Sequence, residues 1–210
     1  NRRQSSKITS LQMKKYLFIA AHTDDAELLF GGTIAKMAEQ GKDVTIFCLS
    51  QVYEGKSLKK EWLESMKVLN PSRYYINNFK VREFHAQRQS ILQMFYDLNN
   101  EGFDFVYTHH PNDIHSDHKT VGEESIRAFK NTNLICGIGE WNQRTQTKNY
   151  FIRLKYRHIV KKLHAIAQYK SQKEKTYCQE SFTIACARVN GVIAGATSYA
   201  EAFHAINLIQ

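Results

Sequence analysis

Proline is nearly missing: Pro71 and Pro111 are the two in 210 residues. So small a number, with no low-complexity tract, argues against a flexible hinge between domains. Long apolar runs are missing too. None approaches the roughly 20 residues needed to span a bilayer, and there is no secretory h-region. No transmembrane segment is expected, and the chain reads as cytoplasmic. The four cysteines, Cys48, Cys136, Cys178 and Cys186, have no Cys-x-x-Cys spacing. That excludes a cysteine zinc knuckle and a disulfide framework, leaving reduced thiols. A third glycine is missing after Gly31 and Gly32. No acidic residue closes the second predicted strand either, so a dinucleotide cofactor is excluded despite the glycine pair ahead of a predicted helix.

What is present begins with charge. The formal net charge is +9. Three positive charges lie in the opening NRRQSSKITSLQ, which has no periodicity. We read residues 1–12 as a disordered or appended leader, and 13–210 as one domain large enough for its own core. The rest of the chain keeps a net +6. Its Lys and Arg are dispersed rather than gathered into a stripe, which argues against nucleic-acid binding. A phosphate-bearing small substrate would be favoured by the same field.

The organisation is alternating. KYLFIAA (15–21) is a continuous apolar strand, TIAKMAEQG a helix stopped at Gly41, and DVTIFCLS (43–50) a second strand. Strand, helix and strand with short joints make a βαβ unit and a parallel pair. The pattern continues with a helix carrying Trp62, Met66 and Leu69, a short strand RYYINNF, and a helix striped by Ile91, Leu92, Phe95 and Leu98. Then come the strand FDFVYTH, the helix TVGEESIRAFK, the strand NYFIRL and two further helices. The fold class is α/β: a Rossmann-like, three-layer sandwich with a mainly parallel sheet.

Two polar clusters interrupt this pattern where strands end. His22, Asp24 and Asp25 follow the first strand, and HHPNDIHSDH (109–118) follows FDFVYTH. Ligands of open parallel sheets bind beyond the carboxyl ends of strands, so the two clusters are predicted to form one site. Histidine and carboxylate side chains suit a divalent metal. His22 and Asp25, three apart, can face one ion, and His118 can add a third ligand. Asp24 then stays free as a base beside an activated water. His115 can polarise a carbonyl or protonate a leaving nitrogen, and Asp117 can orient an imidazole. The plainer alternative is that Asp24 or Asp25 caps the following helix. His109 and His110 read as polar strand-end residues; His85, His158, His164 and His204 as surface or core-edge residues.

AHTDDAELLFGGTIAKMAEQG and PNDIHSDHKTVG resemble the two signatures, AHPDDxE…GGT and HxDH, of the PIG-L/LmbE family of metal-dependent N-acetyl-sugar deacetylases. Weaker similarity continues in AIAQYKSQ and YAEAFHAI. The resemblance implies His22, Asp25 and His118 as metal ligands and Asp24 as general base. It gives His115 as oxyanion stabiliser or acid, supported by Asp117. The implied reaction is zinc-dependent removal of the acetyl group from an N-acetylamino sugar of the GlcNAc type, including phosphate- and lipid-linked ones. Ferrous iron suits the same donors. An amidase acting on a thiol-sugar conjugate or another acylated amine is the alternative, with a non-catalytic sugar-binding module behind it. The sequence departs from the pattern at Thr23 and Ser116, both proline in the family, the latter read as a helix cap. It departs again at Tyr169, often histidine, and at Leu58, where an arginine commonly grips sugar hydroxyls.

Overall fold

The computed structural model describes residues 13–142, 147–195 and 198–209. The leader at 1–12 lies outside them. Five strands run parallel: β1 (Lys15–His22), β2 (Asp43–Ser50), β5 (Arg73–Ile76), β6 (Phe105–His109) and β7 (Asn133–Gly137). A tight hairpin, β3 (Val52–Tyr53) and β4 (Lys56–Ser57), stands apart after β2. The sheet is completed by β8 (Tyr150–Leu154) and β9 (Tyr199–Asn207), giving the order β5-β2-β1-β6-β7-β9-β8. β9 is antiparallel to both its neighbours.

Side chains alternate across β1 and feed two cores. Phe18 and Ala20 join one cluster, whereas Leu17, Ile19 and Ala21 join another. The first core is covered by α1 (Asp25–Glu39), α2 (Lys59–Leu69), α5 (Tyr156–Ile166) and α6 (Glu180–Ile193). The second is covered by α3 (Arg88–Asn99) and α4 (Ser116–Ala128). Helices on both faces of a mainly parallel sheet make the three-layer α/β sandwich that the βαβ pattern predicts. Buried Phe18, Phe30, Tyr107 and Phe203 pack ring against ring through its centre. Each such ring adds roughly 1.5–3 kcal/mol of burial. All four cysteines are free thiols. Among the described residues no helix is long and apolar enough to cross a membrane.

Two features depart from the sequence-based expectation. α1 starts at Asp25, eight residues before TIAKMAEQG, so Gly31 and Gly32 lie inside it rather than ahead of it. Their role is close packing: a Cβ on Gly32 would sit 2.5 Å from a Leu154 methyl, and one on Gly31 2.9 Å from the Lys162 side chain. Strands β7 and β9 are additions to the expected pattern. β7 is short, and β9 is built from Ala, Glu and His, which favour helix or neither state; pairing partners on both sides of each strand override that preference.

β1 lies at the point where the chain order reverses, with β2 on one side and β6 on the other. The crevice beyond the carboxyl ends of β1 and β6 is the standard ligand position of such sheets. His22 and His109 are the last residues of those two strands.

Candidate metal centre and active site

The two polar clusters meet in that crevice. His22 Nδ1 lies 3.2 Å from His118 Nε2, and each is 3.3 Å from Asp25 Oδ2. Three donor atoms thus form a nearly equilateral triangle. Hydrogen-bonded neighbours fix which atoms carry protons. His22 Nε2 is 3.1 Å from Asp117 Oδ2, and His118 Nδ1 is 3.1 Å from Asp113 Oδ2. With each carboxylate taking the N–H of a neutral imidazole, both lone-pair nitrogens would face the triangle's centre. Metal-binding histidines are held by outer carboxylates in this way. Tetrahedral bonds of about 2.0–2.1 Å would put ligand atoms about 3.3 Å apart, the spacing seen. The residues fit a zinc-sized ion.

Two other triplets are close enough to share an ion: His22 with His115 and His118, and Asp25 with His109 and His118. Their extra nitrogens are partly committed. His109 Nε2 accepts the Ala21 N–H at 2.9 Å, and His115 Nδ1 accepts the Asp117 N–H at 3.2 Å. In His22, Asp25 and His118 the inner atoms take no backbone N–H except at Asp25, whose carboxylate oxygen keeps a second lone pair.

Electrostatics shows the same demand for positive charge. Burial opposes charge on His118, but Asp25 and Asp113 outweigh it and push its pKa up to about 10. Burial likewise opposes the Asp25 carboxylate, yet His118 and His109 hold its pKa well below the usual range. Burial and neighbouring Asp25 raise Asp24. Burial, reinforced by His118 and His22, pushes His115 down to about 4.

Local structure explains the placement. Asp25 is the first residue of α1, and its Oδ2 accepts the backbone N–H of His22 at 2.7 Å, closing the turn. Asp24 occupies the N-cap position, but its side chain makes no cap bond. Among the described residues no side chain forms a salt bridge with its carboxylate, which feels the charge of Lys175 and lines the crevice. The capping alternative therefore fails for Asp24. His115, not Ser116, caps α4, through the bond from the Asp117 N–H. Asp117 supports His22 rather than the His115 ring, and also accepts the N–H groups of Arg82 and Phe84.

Two participants go beyond the roles the sequence suggests. Asp113 holds His118 through one oxygen and the His115 N–H through the other, at 2.8 Å. A carboxylate five residues before His118 was the available signal. His109 is fully buried, its ring 4.1 Å from that of His118, and its Nδ1 has no partner among the described residues. It is thus part of the cluster and more than a polar strand end. His110 is bonded to the Asn112 N–H and packed on His204. His158 is buried against Glu39, and His85 and His164 are exposed.

The departures from the family signature have visible consequences. The Tyr169 hydroxyl lies 2.5 Å from the Thr23 carbonyl and 3.0 Å from Glu27, and so clamps the turn between His22 and Asp24. Leu58 is buried at the start of α2 and lines the crevice with an apolar surface. The crevice opens into a cavity of about 460 Å³ whose walls include Tyr53, Trp141, Gln172 and Tyr177.

Known proteins share this fold. The chain resembles the N,N'-diacetylchitobiose deacetylase from Pyrococcus horikoshii, solved with an inhibitor, at a TM-score of 0.77 and 23% identity, over 93% of this chain and 84% of that one. It also resembles the zinc-inhibited form of the teicoplanin deacetylase Orf2, at 0.74 and 15%, over 90% and 97%. The 4-carboxy-2-hydroxymuconate hydratase GalB from Pseudomonas putida is similar as well, at 0.73 and 18%, over 94% and 98%. These likenesses show the shared fold, which therefore carries more than one chemistry. No curated protein sequence matches significantly. The model of the PIG-L family, described as GlcNAc-PI de-N-acetylase, matches residues 17–129, more than half of the chain and both clusters. The chain belongs to the PIG-L family.

Proposed function

We propose that the protein is a zinc-dependent N-deacetylase that hydrolyses the acetamide of an N-acetylamino sugar of the GlcNAc type. One observation carries the reading: the inner atoms of His22, Asp25 and His118 converge to within 3.3 Å of one another, and Asp24 lines the same crevice. The deacetylases among the structural relatives support the same reaction class.

A divalent ion held by His22, Asp25 and His118 would supply a Lewis acid and an acidified water. Asp24 accepts the proton of the attacking water. Its raised pKa makes it a stronger base than an ordinary surface carboxylate. The bond from the Asp117 N–H to His115 Nδ1 leaves the His115 proton on Nε2, in the lining of the crevice. That N–H donates to the amide oxygen as it gains negative charge; one such donor is worth about 2.7–4 kcal/mol. Protonated Asp24 then delivers its proton to the departing amine. Asp113 and Asp117 touch no reacting atom and hold the two imidazoles in register.

The test is acetate release from a panel of N-acetylhexosamines and larger amides, with and without chelator. Turnover should vanish with chelator and return with zinc. Asp24→Asn should keep metal and lose roughly 10²–10⁴-fold in kcat, the usual contribution of a positioned base. Wild-type rates in that variant would refute the assigned base, and release of a larger acid without acetate would point to the amidase.

A further inference from the structure

The turn that presents Asp24 is anchored on both sides. After it, the Asp24 carbonyl accepts the Leu28 N–H at 3.0 Å, at the start of α1. Before it, the Thr23 carbonyl accepts the Tyr169 hydroxyl at 2.5 Å. The peptide joining Thr23 to Asp24 is planar, so holding its oxygen also fixes the Asp24 nitrogen. With both flanking peptides held, the direction in which the Asp24 side chain leaves the backbone is set. Thr23 has no ring to restrict its own φ, so the restraint comes from outside the turn.

The clamp is itself rigid. Tyr169 is 2% exposed, packs in the first core and is not among the residues that line the cavity. Its N–H donates to the Ile166 carbonyl at 3.0 Å, and its own carbonyl accepts the Gln172 N–H at 2.9 Å. Glu27 Oε1 lies 3.0 Å from the hydroxyl and accepts Ser65 Oγ at 2.5 Å; Glu27 and Ser65 are both fully buried. Polar contacts thus run from α2 through α1 to the turn. A buried hydroxyl gives up its water and must be bonded inside the protein, whereas phenylalanine would fill the same space without that demand.

From this geometry we infer that Tyr169 is a positioning residue for the proposed base: through the Thr23 carbonyl, its hydroxyl sets where the Asp24 carboxylate stands. It touches no reacting atom and acts from 146 residues beyond Thr23. The inference rests on the deacetylase reading and adds to it a residue outside both polar clusters. Reacting groups tolerate little displacement, since about 1 Å can cost about 10²-fold in rate. A short side chain that makes no cap bond of its own has to be aimed through its backbone.

Tyr169→Phe in the metal-loaded full chain tests it, because only the hydroxyl is removed. Turnover (kcat) for acetate release should fall about 10–100-fold. KM, and zinc affinity by chelator competition, should change by less than about twofold, the scale of uncoupled sites. With Asp24→Asn already in place, the same substitution should alter the residual rate by less than about twofold, because no base is left to misplace. Ser65→Ala loosens Glu27 without touching the tyrosine. It should lose kcat by a smaller factor, and it carries the test if Tyr169→Phe does not fold. A second measurement needs no turnover. Thr is followed by Asp once in the chain, at Thr23–Asp24. Carbonyl-13C threonine with 15N aspartate therefore gives a single NMR correlation, and its carbonyl resonance should move upfield in Tyr169→Phe. An unmoved resonance would overturn the clamp. Wild-type kcat in a folded Tyr169→Phe protein would overturn the positioning role, as would an undiminished loss of rate in the Asp24→Asn background. A moved resonance in a protein whose wild type releases no acetate would sink the deacetylase reading alone.

Discussion

The molecule buries two polar clusters against opposite parts of α1, and they are built on different principles. Where α5 and β9 meet α1, Lys162 Nζ donates to the Leu28 carbonyl and to Glu201 Oε1, both at 2.8 Å. Glu201 in turn accepts the N–H groups of Gly32 and Thr33 at 2.9 and 2.7 Å. Positive charge meets negative charge, donor meets acceptor, and the network closes. At the start of α1 the outer bonds are made equally well, yet the inner atoms of His22, Asp25 and His118 crowd to within 3.2–3.3 Å of one another. The closed network reads as structural; the crowded centre fits the ion proposed above.

Removing a member of each cluster should therefore break different things. His118→Ala is expected to abolish metal retention and lower turnover by about 10³-fold or more, since the ion supplies several kcal/mol of transition-state stabilisation. Metal analysis and acetate release check this, and full activity in the variant would dissolve the distinction drawn between the clusters.

Lys162→Met should act in reverse. It strands Glu201 inside the protein, and breaking a buried pair costs about 3–5 kcal/mol. The loss would be read by chemical denaturation, with metal affinity unaltered. Adding Glu201→Gln should recover part of it, because the remaining buried group no longer carries charge. A Lys162→Met protein of unchanged stability that has lost its metal would invert the comparison.

The outer carboxylates sharpen it further. Asp113→Asn and Asp117→Asn each leave a shape-matched partner for an imidazole while removing the charge. Metal affinity should weaken about 10–100-fold in each, typical of such supports. The test is competition with a calibrated chelator. Asp117→Asn should also loosen the Arg82 segment, because the same oxygen accepts the Arg82 N–H.

Much of this site was legible in the sequence, because its chemistry is local in the chain. His22, Asp24 and Asp25 fall in one turn, and His115, Asp117 and His118 in another. A parallel βαβ reading alone places both turns at the same sheet edge. What stayed illegible depends on distant partners. Asp117 serves His22 from 95 residues away, and Tyr169 clamps Thr23 from 146 away. Neither spacing encodes its partner. The strand β9 was hidden for the same reason: Glu201 among alanines reads as helix until Lys162 and the α1 amides are in place to receive it.

The smallest effect belongs to a polar group at the surface, where a closed network has little energy to lose. Glu39, at the end of α1, accepts from Arg157 at 2.7 Å and meets His158 at 2.6 Å. Those bonds, Arg157 first, lower its pKa from 4.5 to about 2. A carboxylate whose folded pKa is depressed adds stability that is fully present above its unfolded pKa and disappears as pH falls through the folded one. Wild type should therefore exceed Glu39→Gln in melting temperature above about pH 4.5, with the gap closing toward about pH 2. Acetate release at neutral pH should not change. A gap that persists at pH 2 would mean that Glu39 acts through packing rather than charge. It would also show that closed networks in this protein are not recognised by their protons alone.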